Sequence, residues 1–407
     1  MKIVNKQAKL NVMIILIYLL YFSIIYQTGT VPAALRLETP TITITRIIML
    51  VVPFFMIANI SDLKKGVLLS VIMLMGIGLN TALYLNSTLQ LTYKAILLLM
   101  FYLAIGYMTR HKISIDKILY NLILSIIVIT LILYTLIEVL HLDIPYQFVR
   151  NNGSYYYKDY FHTFYSYHKG FLPRLSGLFW EPGMYAVYLN LALFYYIYSH
   201  DVKKKKWQLI VILISVLLAQ SAAGYCVTVL LLALTFTKTE YFNRYDKQLL
   251  VIIAGIVTIV VIIAIIIDKR ETNSTNLNAY SFGLRVNDIL SGLKIFLEHP
   301  VIGIGFGNDE IFRNLNSLGR GSSNGLVSWL YMTGIVGAVF VLFPFIVNIK
   351  NKSLNIENKQ TVWLFIIIIF NMCEPIYELP LMPYFLAFEY YKYFNFKVRR
   401  SLEYDLD

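Results

Sequence analysis

The sequence predicts an all-α integral membrane protein, a polytopic bundle of about twelve transmembrane helices with two large extracytoplasmic loops, the second containing an amphipathic helix. Three observations predict it. Of the 407 residues, 58% are hydrophobic and only 14% charged, whereas a soluble domain carries roughly 25% charged residues. Apolar runs of membrane length follow one another along the chain, since a helix needs about 20 apolar residues to cross the hydrocarbon core. The basic residues alternate in density from one inter-span loop to the next, as the preference of cytoplasmic loops for Lys and Arg requires.

The expected spans, in order, cover 10–26, 45–60, 67–85, 89–108, 118–140, 182–199, 207–220, 225–237, 248–267, 326–349, 361–377 and 381–394. The seventh and eighth are short and divide at Gln220-Ser221-Ala222-Ala223-Gly224, and prolines interrupt the last pair, so merging either pair changes the count. Lys2, Lys6 and Lys9 precede the first span, with no small-residue cleavage site after it, which reads as a first anchor rather than a removed signal. With the N-terminus inside, Lys64 and Lys65, Arg110 to Lys117, Lys203 to Lys206, Lys238 to Lys247, Lys350 to Lys359 and Lys392 to Arg400 all become cytoplasmic, and so does the C-terminus. The short outer loops then carry just Arg36, while Arg46 and Lys94 lie within spans, where snorkelling or structural pairing is the expected role. The whole of 1–407 is read as one integral membrane domain, with outer loops at 141–177 and 268–325.

The net charge of +12 therefore reports orientation, and no nucleic-acid partner is expected. Cys226 and Cys373 lie inside apolar segments, which excludes a disulfide framework or a zinc spacing. No metal site and no internal repeat of the transporter kind is apparent.

Function should sit in the outer loops. The first is crowded with aromatics from Tyr146 to Phe171, with His162 and His168 among them. Such rings suit the membrane interface first, and also the apolar faces of sugars. The segment RLSGLFWEPG, Arg174 to Gly183, follows. Pro182 is suited to the first position of a helix, so Glu181 is expected to cap it at the outer boundary, with Arg174 folded back nearby. A structural cap and ion pair would explain both residues, but an ionisable pair at the mouth of an apolar bundle also marks a site.

The second loop carries GLRVNDILSGLKIFLEHP, Gly283 to Pro300. Val286, Ile289, Leu290, Leu293 and Leu297 form one apolar stripe, so this helix should lie on the membrane or on the bundle surface. Arg285 and His299 fall about 40° apart in azimuth but roughly 21 Å apart along the axis. GIGFGN, Gly303 to Asn308, comes next. Its glycines permit close backbone approach, but the spacing is wrong for a dinucleotide loop and no strand precedes it, which leaves a tight turn.

These residues resemble the O-antigen polymerase and ligase superfamily of bacterial envelope glycan assembly. The resemblance rests on RLSGLFWEPG, the large late outer loop, the arginine-bearing helix leading into HPVIGIGFGN, and SSNGLVSWLYMTGIVG, Ser322 to Gly337, in that order. It implies a multi-pass protein of the bacterial cytoplasmic membrane that performs a metal-independent glycosyl transfer without cofactor on the outer face. The donor would be an oligosaccharide on polyprenyl pyrophosphate, the surroundings membrane lipid, and the partners a chain-length regulator protein and a flippase. Ligases of the family carry His-Asn and a later glutamate where this chain has Ser323-Asn324 and Met332, so the resemblance favours a polymerase of capsule, O-antigen or exopolysaccharide repeats over a ligase-type transferase.

For that chemistry Arg285 and Arg174 are the expected pyrophosphate contacts, because a guanidinium binds phosphate bidentately and keeps its charge, with Lys294 and Arg313 as helpers. Pairing with Asp288 or Glu181 is their structural alternative. Glu181 is the preferred proton acceptor and His299 the second choice. His162, His168, Gly303, Gly305, Asn308 and Asn324 complete the expected substrate loops. A lipid-linked sugar transporter and a non-catalytic envelope scaffold are the rival readings.

Overall fold

The computed structural model describes residues 2–404 apart from 36, 38, 58, 82–84, 151–155, 161–163, 167–173, 237–276, 309, 316–320, 323 and 352–357. In chain order the helices are α1 (Lys2–Gln27), α2 (Val31–Ala34), α3 (Pro40–Val51), α4 (Ile60–Thr81), α5 (Leu85–Arg110) and α6 (Ile115–Tyr134). Then come α7 (Pro182–Tyr198), α8 (Lys206–Ala219), α9 (Ala222–Phe236), α10 (Leu277–Glu298), α11 (Glu310–Leu315), α12 (Gly325–Lys350), α13 (Lys359–Cys373) and α14 (Leu381–Tyr404). A 3-10 turn, Val52–Met56, extends α3 where Pro53 stands, and a π turn, Thr135–Val139, extends α6. Among the described residues, Thr88–Arg110, Ile115–Val139 and Gly325–Lys350 are long and apolar enough to cross a membrane. Shorter apolar helices include Asn11–Gln27, Pro40–Met56, Lys206–Ala219, Ala222–Ala233 and Lys359–Met372. The ninth expected span, 248–267, lies outside the described residues.

The chain forms two compact units. The first comprises residues 1–28, 43–113 and 281–407. Within it α5 packs against α4 and α14, and α12 against α13 and α14. Its helices meet through large apolar side chains such as Tyr102, Phe101 and Phe345, all buried. Buried Asp62 and Glu389 are both paired, as the cost of an isolated ion in an apolar interior demands. Arg110 meets Asp62 at 2.6 Å. Glu389, fully buried on α14, takes Lys392 at 2.8 Å and the Asn348 side-chain amide at 2.7 Å.

The second unit comprises residues 29–42 and 114–280. Here α7 is buried along nearly its whole length, packed against α6, α8 and α9. Asn190 ties two of these helices together, donating to the carbonyls of Ala186 at 3.0 Å and Gly224 at 3.1 Å and accepting from Thr228 at 2.8 Å. Small residues allow that approach, since Gly224 sits directly on Ala186. The division between the seventh and eighth spans falls at Gln220, whose left-handed backbone ends α8 before α9 begins.

Residues 141–177, expected as the first outer loop, hold structure that their composition did not announce. Gln147–Arg150, Tyr156–Tyr160 and Phe164–Ser166 form an antiparallel three-stranded sheet, β1-β2-β3. Tyr157, Tyr160, Phe164 and Tyr165 are buried in it. Dense Tyr and Phe, which the sequence suggested for the interface, here do what such residues do in strands, packing across a pleated surface.

Candidate functional site

In the second unit the segment from Arg174 to Glu181 is folded in rather than draped outside. Leu175 donates its N–H to the Leu218 carbonyl at 3.0 Å, and Tyr165 to that of Gly177 at 2.8 Å. Trp180 and Val31 donate to the carbonyls of Gly29 and Leu178, at 3.0 and 3.1 Å. Phe179 is buried and stacked on Tyr188. Arg174 sends one guanidinium N–H to the Gln220 carbonyl at 2.7 Å, a favourable place for a cation at the end of α8. As expected, Pro182 opens α7 with Glu181 in the N-cap position, φ −151° and ψ 158°. Its half-buried carboxylate makes no capping hydrogen bond, so the cap is positional. Burial, reinforced by Glu138, Tyr146 and Asp143, raises the Tyr160 phenol above its ordinary value, which keeps it a neutral hydrogen-bond donor. His162 and His168 lie outside the described residues.

In the first unit the segment from α10 to α12 is the more informative. Helix α10 begins before the expected Gly283 and ends at Glu298. Its apolar stripe does not pack on the bundle: Val286, Leu290, Leu293 and Leu297 are exposed. The packed face is Asp288, Gly292 and Ile295, all buried, with Gly292 lying against Val327 and Tyr331 of α12. Lys294 and His299 are exposed, and His299 follows the last turn, its N–H donating to Ile295 at 3.0 Å. Arg313 is exposed on α11, which is held by buried Phe312 stacked on Tyr331 at 5.3 Å.

The expected continuous span at 326–349 is broken. Gly334 has φ 63° and ψ −162° inside α12, nine residues and so about 14 Å from its start. Residues 300–305 are inserted at the break. Ile304 and Gly305 donate their N–H groups to the carbonyls of Tyr331 and Met332 at 2.9 and 3.0 Å, and Ile335 and Val336 donate to those of Pro300 and Val301 at 2.8 and 3.1 Å. The reciprocity has a physical cause, because backbone groups at membrane depth must be paired within the protein. Gly303, at φ +67°, would place a Cβ 2.4 Å from the Met332 carbonyl carbon. GIGFGN is thus a docked loop rather than a free tight turn. Asn308 closes it, donating from its side chain to the Ile304 carbonyl at 3.1 Å. Asn324 is buried as the N-cap of α12, its side-chain oxygen accepting from Val327 at 3.0 Å.

The docked loop also places Phe306 against Trp329 and Tyr377, with ring centroids 5.9 and 6.5 Å apart. These rings, Lys94 and aliphatic residues of α4, α5 and α14 line a small apolar crevice with room for little more than a water molecule. Sequence reasoning named Lys94 for snorkelling or structural pairing, and the structure pairs it with the carbonyls of Tyr377 and Glu378, residues that the sequence did not single out. The signal was present as a lysine inside an otherwise apolar span and a second Glu-Pro pair, Glu374-Pro375, at the end of another. Among the described residues no group of three or more His, Cys, Asp or Glu is placed to hold a metal ion.

Recurrent apolar helices and a helix broken around the chain's own loop define a polytopic helical membrane protein. A family model described as O-antigen ligase matches residues 207–342. That segment runs from α8 through α10 and the docked loop past the break in α12, and the match supports membership of the O-antigen polymerase and ligase superfamily. No curated protein and no solved structure matches the chain.

Proposed function

We propose that the protein is a polysaccharide repeat-unit polymerase, which transfers a growing glycan from polyprenyl pyrophosphate to a lipid-linked repeat unit on the outer face of the cytoplasmic membrane. The observation that carries the reading is the docked segment 299–308 at the break in α12, inside the family-matched region and directly after the helix that bears Arg285 and Lys294. A rigidly held loop beside a cationic helix suits a reaction whose main demands are positioning and charge stabilisation at a leaving pyrophosphate. Arg285 is proposed for that phosphate contact, with Lys294 and Arg313 assisting. Arg174 is a further cation for the same reaction, and Glu181 and His299 are the proton acceptors the sequence nominates. Ser323 in place of the ligase histidine favours polymerase over ligase, and Asn324 serves the helix as its cap.

A lipid-linked sugar transporter gains one observation, since broken helices mark many transporter sites. In α12, however, the freed peptide groups are taken by residues 300, 301, 304 and 305 rather than left for cargo. Deleting the gene and sizing the lipid-linked glycans tests the choice. Accumulated single repeats, extended again by the wild-type gene, support the polymerase. Long polymer stranded on its carrier indicates a ligase, and an unchanged ladder removes both.

A further inference from the structure

Among the described residues, helix α10 keeps an apolar face uncovered. At 100° per residue Val286, Leu290, Leu293 and Leu297 fall within an arc of about 60°, and buried Asp288, Gly292 and Ile295 lie on roughly the opposite side. Exposed Lys294 and Glu298 and half-buried Asn287 and Ser291 occupy the flank between the two faces. The apolar face does not fade toward the end of the helix. Leu297 is 74% exposed, and beyond it Val301 and Ile302, on the turn that leads into the docked loop, are 61% and 41% exposed.

The register on α12 gives the depth of this face. Gly292 lies against Val327 and Tyr331, whereas the carbonyls of Pro300 and Val301 accept from Ile335 and Val336, so the chain advances about 10 Å along α12. Ile304 and Gly305 then bring it back to Tyr331 and Met332. The 26 residues of α12 measure about 39 Å against a hydrocarbon core of about 30 Å. With Lys350 at the cytoplasmic boundary, the outer boundary falls near Tyr331 and Val301 stands about 6–8 Å beneath it. An interfacial helix seats its apolar face at about this depth, 5–10 Å. The main chain suits the position, because the peptide groups named are paired with α12. The uncovered face is also wholly aliphatic, whereas interfaces between proteins concentrate aromatic residues, Met and Arg. Its composition favours lipid over a second chain.

We propose that α10 and the turn after it form a lipid-docking wedge: Leu290, Leu293, Leu297, Val301 and Ile302 insert into the hydrocarbon of the outer leaflet, while Lys294 lays its stem on that face and lifts its ammonium to the headgroup phosphates. The wedge goes beyond the polymerase reading and does not depend on it. Held by lipid on one side and by Gly292 against α12 on the other, the helix that bears Arg285 is fixed at the level of the headgroups.

The test uses the full-length protein in proteoliposomes of phosphatidylcholine and phosphatidylglycerol. On a Cys226→Ser, Cys373→Ser background, nitroxide labels are placed by Leu293→Cys, Leu297→Cys or Val301→Cys on the stripe and by Asn287→Cys or Glu298→Cys on the flank. Stripe labels should collide mainly with dissolved oxygen and flank labels mainly with a water-soluble nickel chelate, and the Val301→Cys label should report a depth of about 5–10 Å below the hydrocarbon boundary. Stripe labels that meet the chelate as freely as the flank labels overturn the proposal, because the face is then in water. Stripe labels shielded from both reagents overturn it as well, because protein then covers the face. A second measurement leaves the chain unsubstituted: a phospholipid with a photoactivated diazirine in its acyl chain should form adducts within residues 290–302, and adducts on α12 with none in that segment would overturn the proposal.

Discussion

Replacing Gly334 by alanine should release the docked loop. At φ 63° and ψ −162° the residue occupies a region open essentially to glycine alone, and a non-glycine residue held there costs about 1–3 kcal/mol. Space is also lacking. A Cβ at 334 would lie 2.3 Å from the Val301 carbonyl oxygen, 2.5 Å from its carbon and 2.7 Å from the Gly303 nitrogen, all backbone atoms that cannot swing aside. The variant can keep the loop only under this clash, and straightening α12 expels the loop. Expulsion forfeits the four backbone hydrogen bonds between 300–305 and 331–336, worth about 0.5–1.5 kcal/mol each and so about 2–6 kcal/mol together. In hydrogen exchange on nanodisc-embedded protein, the amides of Ile304 and Gly305 should therefore exchange at least about 30-fold faster in Gly334→Ala, the factor that 2 kcal/mol represents. Those of Ile335 and Val336 should stay protected if α12 closes into a continuous helix. Wild-type exchange at Ile304 and Gly305 in the variant would refute the reasoning.

Other expectations concern separate parts of the molecule. Arg285→Lys should lose most polymer formation while the protein remains stably expressed, because lysine keeps the charge but not the planar fork; full activity in a sized glycan ladder would remove Arg285 from the site. Glu389→Ala leaves Lys392 and Asn348 without their buried partner, and breaking such a pair costs about 3–5 kcal/mol, so the melting temperature in detergent should fall markedly with glycan chain length unchanged. Gly303→Ala should reproduce the exchange pattern of Gly334→Ala, since its Cβ meets the same junction from the other side. Single cysteines placed at Lys64 and Lys359 should react with an impermeant thiol reagent only in inverted vesicles, and labelling of intact cells would reverse the proposed orientation.

Local chemistry made some of this legible in the sequence. Pro182 fixed the start of α7 because its missing N–H is harmless only there. Gln220 and Ser221 divided two apolar helices where hydropathy weakens. The arginine-bearing helix was visible in its stripe, which is left exposed while another face packs. Gly292 makes the contact with α12 between buried Asp288 and Ile295, because close approach selects small size over hydrophobicity. The break in α12 was invisible to any count of apolar residues, since hydropathy does not report φ. The glycines of GIGFGN advertised a close backbone approach but could not name the partner. For Lys94 the sequence offered snorkelling or structural pairing, and only the fold could name the partners, two carbonyls almost three hundred residues away.

The central claim is transfer of glycan onto a lipid-linked repeat unit. Its most direct measurement takes the purified protein in proteoliposomes, supplies only lipid-linked repeat units from the deletion strain, and resolves the products by size. The account predicts a ladder of integral multiples still attached to polyprenyl pyrophosphate, with free carrier released for each addition and no ladder from Arg285→Ala. Unchanged single repeats with the wild-type protein, or repeats merely moved from one leaflet to the other, would contradict it.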